Sequence, residues 1–130
     1  MTSDDLMALA KTAPTSQVCA HCQALVCKGW ESLPGGFDPT NLRRVDSLRD
    51  ANDSDPTLAE YHPAGTSGWS SDAPIALGWF PYNRCDVWQC VGCARPFLRY
   101  TEVGGYYTDE RVRELQAHLI VPSPPAAPPA

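Results

Sequence analysis

Six cysteines carry most of the chemistry in this 130-residue chain, and four of them form two Cys-x-x-Cys pairs. The first reads Cys19-Ala20-His21-Cys22 and the second Cys90-Val91-Gly92-Cys93. Thiolates are soft ligands, and two such knuckles brought together would supply the four donors of a tetrahedral site for zinc or iron. Two intervening residues let the chain turn so that both sulfurs face one point. The backbone N–H groups of the turn then aim at the thiolates and offset their charge. Gly92 eases this turn in the second knuckle, whereas His21 holds the matching place in the first. His21 could extend into solvent or replace a cysteine in an S₃N set, and the expectation is the all-cysteine set Cys19, Cys22, Cys90 and Cys93. Such a set leaves no open coordination position, so it points to a structural ion and away from catalysis.

Cys27 and Cys85 stand at mirrored spacings, five residues after Cys22 and five before Cys90. Both are expected to be buried small hydrophobes near the site, because free cysteine is among the most buried residue types. The alternatives are a second or binuclear site, a redox pair, or service as substitute ligands. Cys85-x4-Cys90-x2-Cys93 also matches the three-cysteine run of plant-type [2Fe–2S] proteins, but no fourth cysteine follows. His62, between Tyr61 and Pro63, and His118, near a predicted helix C-terminus, are expected to be structural. No Gly-rich phosphate loop, H-E-x-x-H or G-x-S-x-G occurs, and the chain is not expected to be an enzyme.

These ligands must be positioned by the elements around them. Ser3-Asp4-Asp5 predicts a helix start, with Leu6, Met7, Leu9 and Ala10 as a short apolar face and Pro14 as a stop. Asp38-Pro39 predicts a helix from Thr40 to about Leu48, and Asp55-Pro56 a single turn over Thr57 to Tyr61. Residues 63–74 read as a loop packed down by Trp69. Ile75 to Phe80 fits a buried strand, and Phe97 to Val103 is a β run rich in aromatic and branched residues. On that run Phe97, Arg99 and Thr101 share one face, while Leu98 and Tyr100 share the other. Gly104-Gly105 signals a two-residue hairpin, with Tyr106 and Tyr107 opening the return strand. Thr108 then predicts a helix cap, with Val112, Leu115 and Leu119 at helical spacing and Pro122 as the stop. The Pro/Ala-rich tail, residues 122–130, reads as an extended, mobile end.

Length bounds the chain to one domain, taken as residues 1–121. Thirteen prolines and nine glycines imply a loop-rich body that gains from a metal staple. Net charge is −5, which argues against a nucleic-acid binder without a local basic patch. Arg95, Arg99, Arg111 and Arg113 would be that patch, but Glu102, Asp109, Glu110 and Glu114 interleave with them, so a mixed solvated surface is expected. No basic, apolar leader opens the chain and no apolar run approaches a membrane span. A cytoplasmic protein with reduced cysteines and no membrane partner is the expectation.

The order strand, Cys-x-x-Cys turn, strand and glycine hairpin behind Cys90 and Cys93, with Cys19 and Cys22 opposite, resembles the zinc-ribbon and rubredoxin-like group of small metal-binding proteins. The resemblance covers the metal site and roughly the last third of the chain. The 67 residues between Cys22 and Cys90 are far more than the usual ribbon separation, so residues 31–74 look like a loop-rich insertion. The resemblance implies an α+β fold: an antiparallel β core with short flanking helices and a structural Zn²⁺, or Fe as the alternative. The expected function is a protein-interaction or adaptor module with a protein partner. Rubredoxin-like electron transfer is the first alternative and a nucleic-acid-binding ribbon the second.

Overall fold

The computed structural model describes residues 1–12, 19–25 and 29–128. The described residues form a small α+β fold, with one α-helix and a five-stranded antiparallel sheet among them. The helix, α1, spans Ser3–Lys11. The strands are β1 (Glu31–Ser32), β2 (Leu42–Ser47), β3 (Asp86–Cys90), β4 (Pro96–Val103) and β5 (Thr108–Glu114), in the order β1-β5-β4-β3-β2. Both edge strands, β1 and β2, come from the 31–74 stretch, which is therefore built into the sheet.

Helix α1 forms where the sequence places it, but one residue earlier at its cap. Thr2 accepts from the Asp5 N–H at 3.1 Å, and the Asp5 carboxylate accepts from the Thr2 N–H at 3.0 Å. This reciprocal pair satisfies two donors that a helix N-terminus otherwise leaves open. Leu6 and Ala10, four residues apart on one face, are buried.

Two segments expected to be helical are strands. Asp38 does cap, accepting from the Thr40 N–H at 2.9 Å, and Pro39 sits at the first position of the turn. That turn is a single 3₁₀ turn, Pro39–Asn41, after which the chain extends as β2. Leu42 is buried but Val45, three residues on, is 41% exposed, so a helix here would have no continuous apolar face to bury. The ladder to β3 satisfies the backbone instead, with Leu42 opposite Cys90 and a bulge between Arg44 and Asp46.

The segment after Thr108 is likewise β5, paired with β4 from Val103–Thr108 to Phe97–Glu114. Val112 and Arg113 are both buried, on opposite faces, which the period of a strand permits and a helical stripe does not. Only Ala117–Leu119 turns, as 3₁₀. The hairpin connection is longer than two residues: Gly104 to Tyr107 bridge Val103 and Thr108, with the Gly104 N–H donating to the Tyr107 carbonyl at 2.8 Å. The Tyr107 ring lies over Gly104, where a Cβ would come within 2.3 Å of it, so a side chain there would turn this exposed ring away. Tyr106 is fully exposed.

Residues 75–80 are not a strand. Ile75 alone forms a parallel bridge to Ile120, and the chain then turns through Gly78 at φ +87°. Asp55-Pro56 starts no helix either; the Phe80 N–H donates to the Ala59 carbonyl at 2.9 Å and ties that irregular segment to residue 80. Trp69 is 59% exposed, and its ring is covered from one side by the Arg111 guanidinium at 4.4 Å.

The sheet separates two cores. On one face Leu6, Ala10, Trp30, Ile75, Tyr82, Cys85, Val87, Leu98 and Tyr100 pack together with Leu115 and Ile120. On the other, Cys22, Leu25, Leu42, Cys90, Phe97 and Val112 form a smaller cluster. The alternation of Phe97 against Leu98 and Tyr100 along β4 places them as the sequence implies. Short elements with apolar surface on both sides are fixed by this double burial.

Candidate metal centre

Each knuckle is a tight turn closed by its own backbone. In the first, the N–H groups of Cys22 and Gln23 donate to the Cys19 carbonyl at 3.2 and 3.1 Å, and a 3₁₀ turn over Gln23–Leu25 follows. In the second, Cys90 ends β3 and its N–H donates to the Arg95 carbonyl at 2.9 Å, while the Ala94 N–H returns to the Cys90 carbonyl at 2.9 Å. Ala94 adopts the left-handed conformation, φ 64°, to complete that return.

The two turns meet. Cys19 Sγ lies 3.7 Å from Cys22 Sγ and 3.3 Å from Cys90 Sγ, and Cys22 Sγ lies 3.6 Å from Cys93 Sγ. All four sulfurs fall within 4.8 Å of one another. A tetrahedral site with metal–sulfur bonds of about 2.3 Å has sulfur–sulfur edges of roughly 3.8 Å, so the donor set fits one ion of that size. Cys22 and Cys90 are buried, while Cys19 and Cys93 are partly exposed.

Backbone donors serve the thiolates as the spacing predicts. The Gly92 N–H points to Cys90 Sγ at 3.4 Å, joined by the Cys93 N–H, and the His21 N–H serves Cys19. Cys19, Cys22 and Cys90 nevertheless do not ionise alike. A hydrogen bond from the Cys90 thiol brings the Cys19 pKa down to about 6, whereas burial pushes Cys22 and Cys90 up. One thiolate forms readily and the next meets desolvation and its neighbour's charge. A bound cation resolves that conflict, which is the chemistry of a metal site. Arg95, buried against Glu114, adds a fixed positive charge felt by Cys22 and Cys93.

Gly92 matters for more than the turn. A Cβ there would lie 2.7 Å from His21 Nδ1 and 3.2 Å from Cys19 Sγ, so a side chain would displace the exposed His21 ring and crowd Cys19. His21 is exposed, with Nδ1 4.0 Å from Cys19 Sγ, and stands beside the sulfurs outside the four-ligand group.

Asn41 is the residue that sequence reasoning missed. Its carbonyl accepts from the Val91 N–H at 3.0 Å, and its Nδ2 donates to the His21 carbonyl at 3.3 Å. One residue thus ties the first knuckle to the second from outside the ligand set. The visible signal was Asp38-Pro39, which caps the turn ending at Asn41, but nothing local relates that turn to the cysteines.

The other candidates lie elsewhere. Cys85 is fully buried in the core on the opposite face of the sheet, its thiol donating to the Pro81 carbonyl at 3.2 Å, and burial pushes its pKa well up. It is a core residue and no alternative ligand. Cys27 lies outside the described residues. His62 bonds Glu60 at 3.0 Å and Thr66 at 2.7 Å, and His118 is exposed on the 3₁₀ turn. The four arginines do not form one surface. Arg113 is fully buried on Tyr82 Oη and the Ala73 carbonyl, and Arg95 is buried beside Glu114. Arg99 stacks on Trp88 at 4.7 Å and Arg111 on Trp69. Among the described residues no helix is long and apolar enough to cross a membrane.

No protein-family model matches the chain, and comparisons with curated proteins and with solved structures find no match either.

Proposed function

We propose that this chain is a small protein-interaction module whose fold is clamped by a structural zinc ion at Cys19, Cys22, Cys90 and Cys93, in a zinc-ribbon-like arrangement. The observation that carries this reading is the convergence of four sulfurs within 4.8 Å from turns 71 residues apart in sequence. Four cysteines close the coordination shell, which suits a holding role and leaves no position for substrate. The ion would supply charge compensation and a cross-link between the first knuckle and the β3–β4 turn. Its binding free energy then becomes folding free energy. A protein partner suits a chain of net charge −5 whose arginines near the hairpin are engaged internally.

A second reading is mononuclear iron in the same thiolates, serving electron transfer. The partial exposure of Cys19 and Cys93 favours it, since an exposed ligand edge gives an electron a short way out. Elemental analysis with a visible spectrum of protein purified without added metal decides between them. One colourless zinc per chain supports the first reading. Iron with strong visible absorption would replace it by the second, and a metal-free folded protein would sink both.

A further inference from the structure

The proline-rich tail does not leave the body directly. Ile75 and Ile120 form their parallel bridge, and the Val121 N–H donates to the Ile75 carbonyl at 3.0 Å, which steers the following residues across the 75–80 segment. There the Trp79 indole N–H donates to the Pro125 carbonyl at 2.9 Å. Trp79 is half-buried and packs against Tyr61, with ring centroids 5.2 Å apart and planes inclined at 48°. Tyr61 is held in reach of Trp79 by the hydrogen bond from Phe80 to Ala59.

Past a bend at Pro122–Ser123, Pro124 and Ala127, three residues apart, are half-buried, while Pro125, Ala126 and Pro128 are exposed. A polyproline-II helix has three residues per turn, so a segment lying on a surface presents every third side chain to it. Such a helix makes no internal hydrogen bonds, and its carbonyls stay free to accept. Prolines also lower the ordering entropy that docking costs. An aromatic pair with one indole N–H aimed at a backbone carbonyl is the physical means by which proline-rich segments are recognised.

We propose that the Tyr61–Trp79 pair is a recognition surface for polyproline-II segments, covered in cis by this chain's own tail and open to a proline-rich protein segment in trans. The inference deepens the interaction-module reading and rests on it. The preferred ligand carries small apolar residues three positions apart, as Pro124 and Ala127 are. The tail acts as a built-in competitor. A short tether holds a ligand at a local concentration in the millimolar range, so an external segment must displace it.

The test uses the full chain and a fluorescently labelled synthetic peptide with the sequence of residues 121–130, read by anisotropy. Three proteins are titrated: the native chain, a chain with Pro124→Gly and Pro125→Gly to loosen the tail, and that chain with Trp79→Phe added. The expected result is saturable binding to the loosened chain, at least about ten-fold weaker binding to the native chain, and loss with Trp79→Phe, which keeps the ring but removes the donor. A peptide with the prolines replaced by glycine should bind none of them. No binding to the loosened chain, binding unchanged by Trp79→Phe, or equal binding of the glycine peptide would overturn the proposal. Metal content is measured on the same samples. Metal present without peptide binding removes this inference alone, whereas peptide binding without metal keeps the surface and removes the zinc clamp.

Discussion

At the scale of single residues, the five cysteines among the described residues divide according to which side of the sheet they occupy. Cys22 and Cys90 share a small core with Phe97 and Val112, next to Cys19 and Cys93, while Cys85 is sealed into the other core. Cys90→Ser should therefore abolish metal binding and lower the melting temperature, because a serine hydroxyl is a poor soft-metal ligand. Cys85→Ser should keep one metal per chain, since its hydroxyl can still donate to the Pro81 carbonyl. Metal release from Cys85→Ser would show that the ligand assignment is wrong. Gly92→Ala makes a different demand. The added methyl meets His21 and Cys19, so metal should exchange faster and bind about ten-fold or more weakly. His21→Ala in the same chain removes the nearer clash and should restore part of the loss, as a chelator-competition assay would read.

Among the elements, the short turn Pro39–Asn41 does more than its length suggests. Its cap orients Asn41, and Asn41 joins the two knuckles through His21 and Val91. Asp38→Ala should lower the stability read in denaturant unfolding, because it leaves the Thr40 N–H without its acceptor. The hydrogen bond from Thr40 holds the Asp38 carboxyl below its ordinary pKa. A depressed carboxyl contributes stability above its unfolded pKa and loses it as pH falls through the lower folded value. The stability gap between the native chain and Asp38→Ala should accordingly narrow in acid, below about pH 4. A gap that persisted in acid would mean that the carboxylate's charge is not what stabilises the turn. Strands β2 and β5 belong to this scale as well. Their cap signals, Asp38-Pro39 and Thr108, are genuine local preferences, yet both segments extend because β3 and β4 offer ladders to fill.

For the whole molecule, the metal would join parts that the sheet alone does not cross-link. The first knuckle touches the body through the small core and through Asn41, so removing the ion should loosen residues 19–25 before the central strands. Free metal at 100 times Kd stabilises by about 2.7 kcal/mol, or roughly 10 °C of melting temperature. Chelation should produce a fall of that order, reversed by adding zinc. An unchanged melting curve would mean that no structural ion is held. Metal release should also occur on acidification, because ligation requires thiolates and protons compete for them. The sign is definite: affinity falls as pH falls.

What the sequence determined by itself was each pair of converging cysteines, because Cys-x-x-Cys geometry is local. Two sulfurs three residues apart must face one point whatever the rest of the chain does. The capped first helix, the alternation along β4 and the existence of a hairpin behind the second knuckle were legible for the same reason, each depending on neighbours within a few residues. Tertiary structure decided the rest. Whether residues 42–47 and 108–114 extend or coil depends on ladder partners that local propensity cannot see. Cys85 and Cys90, five residues apart, fall on opposite faces because a strand begins between them and the sheet divides the interior. The tie from Asn41 to both knuckles, and the crowding of Gly92 by His21 and Cys19, arise only where two turns far apart in sequence come together.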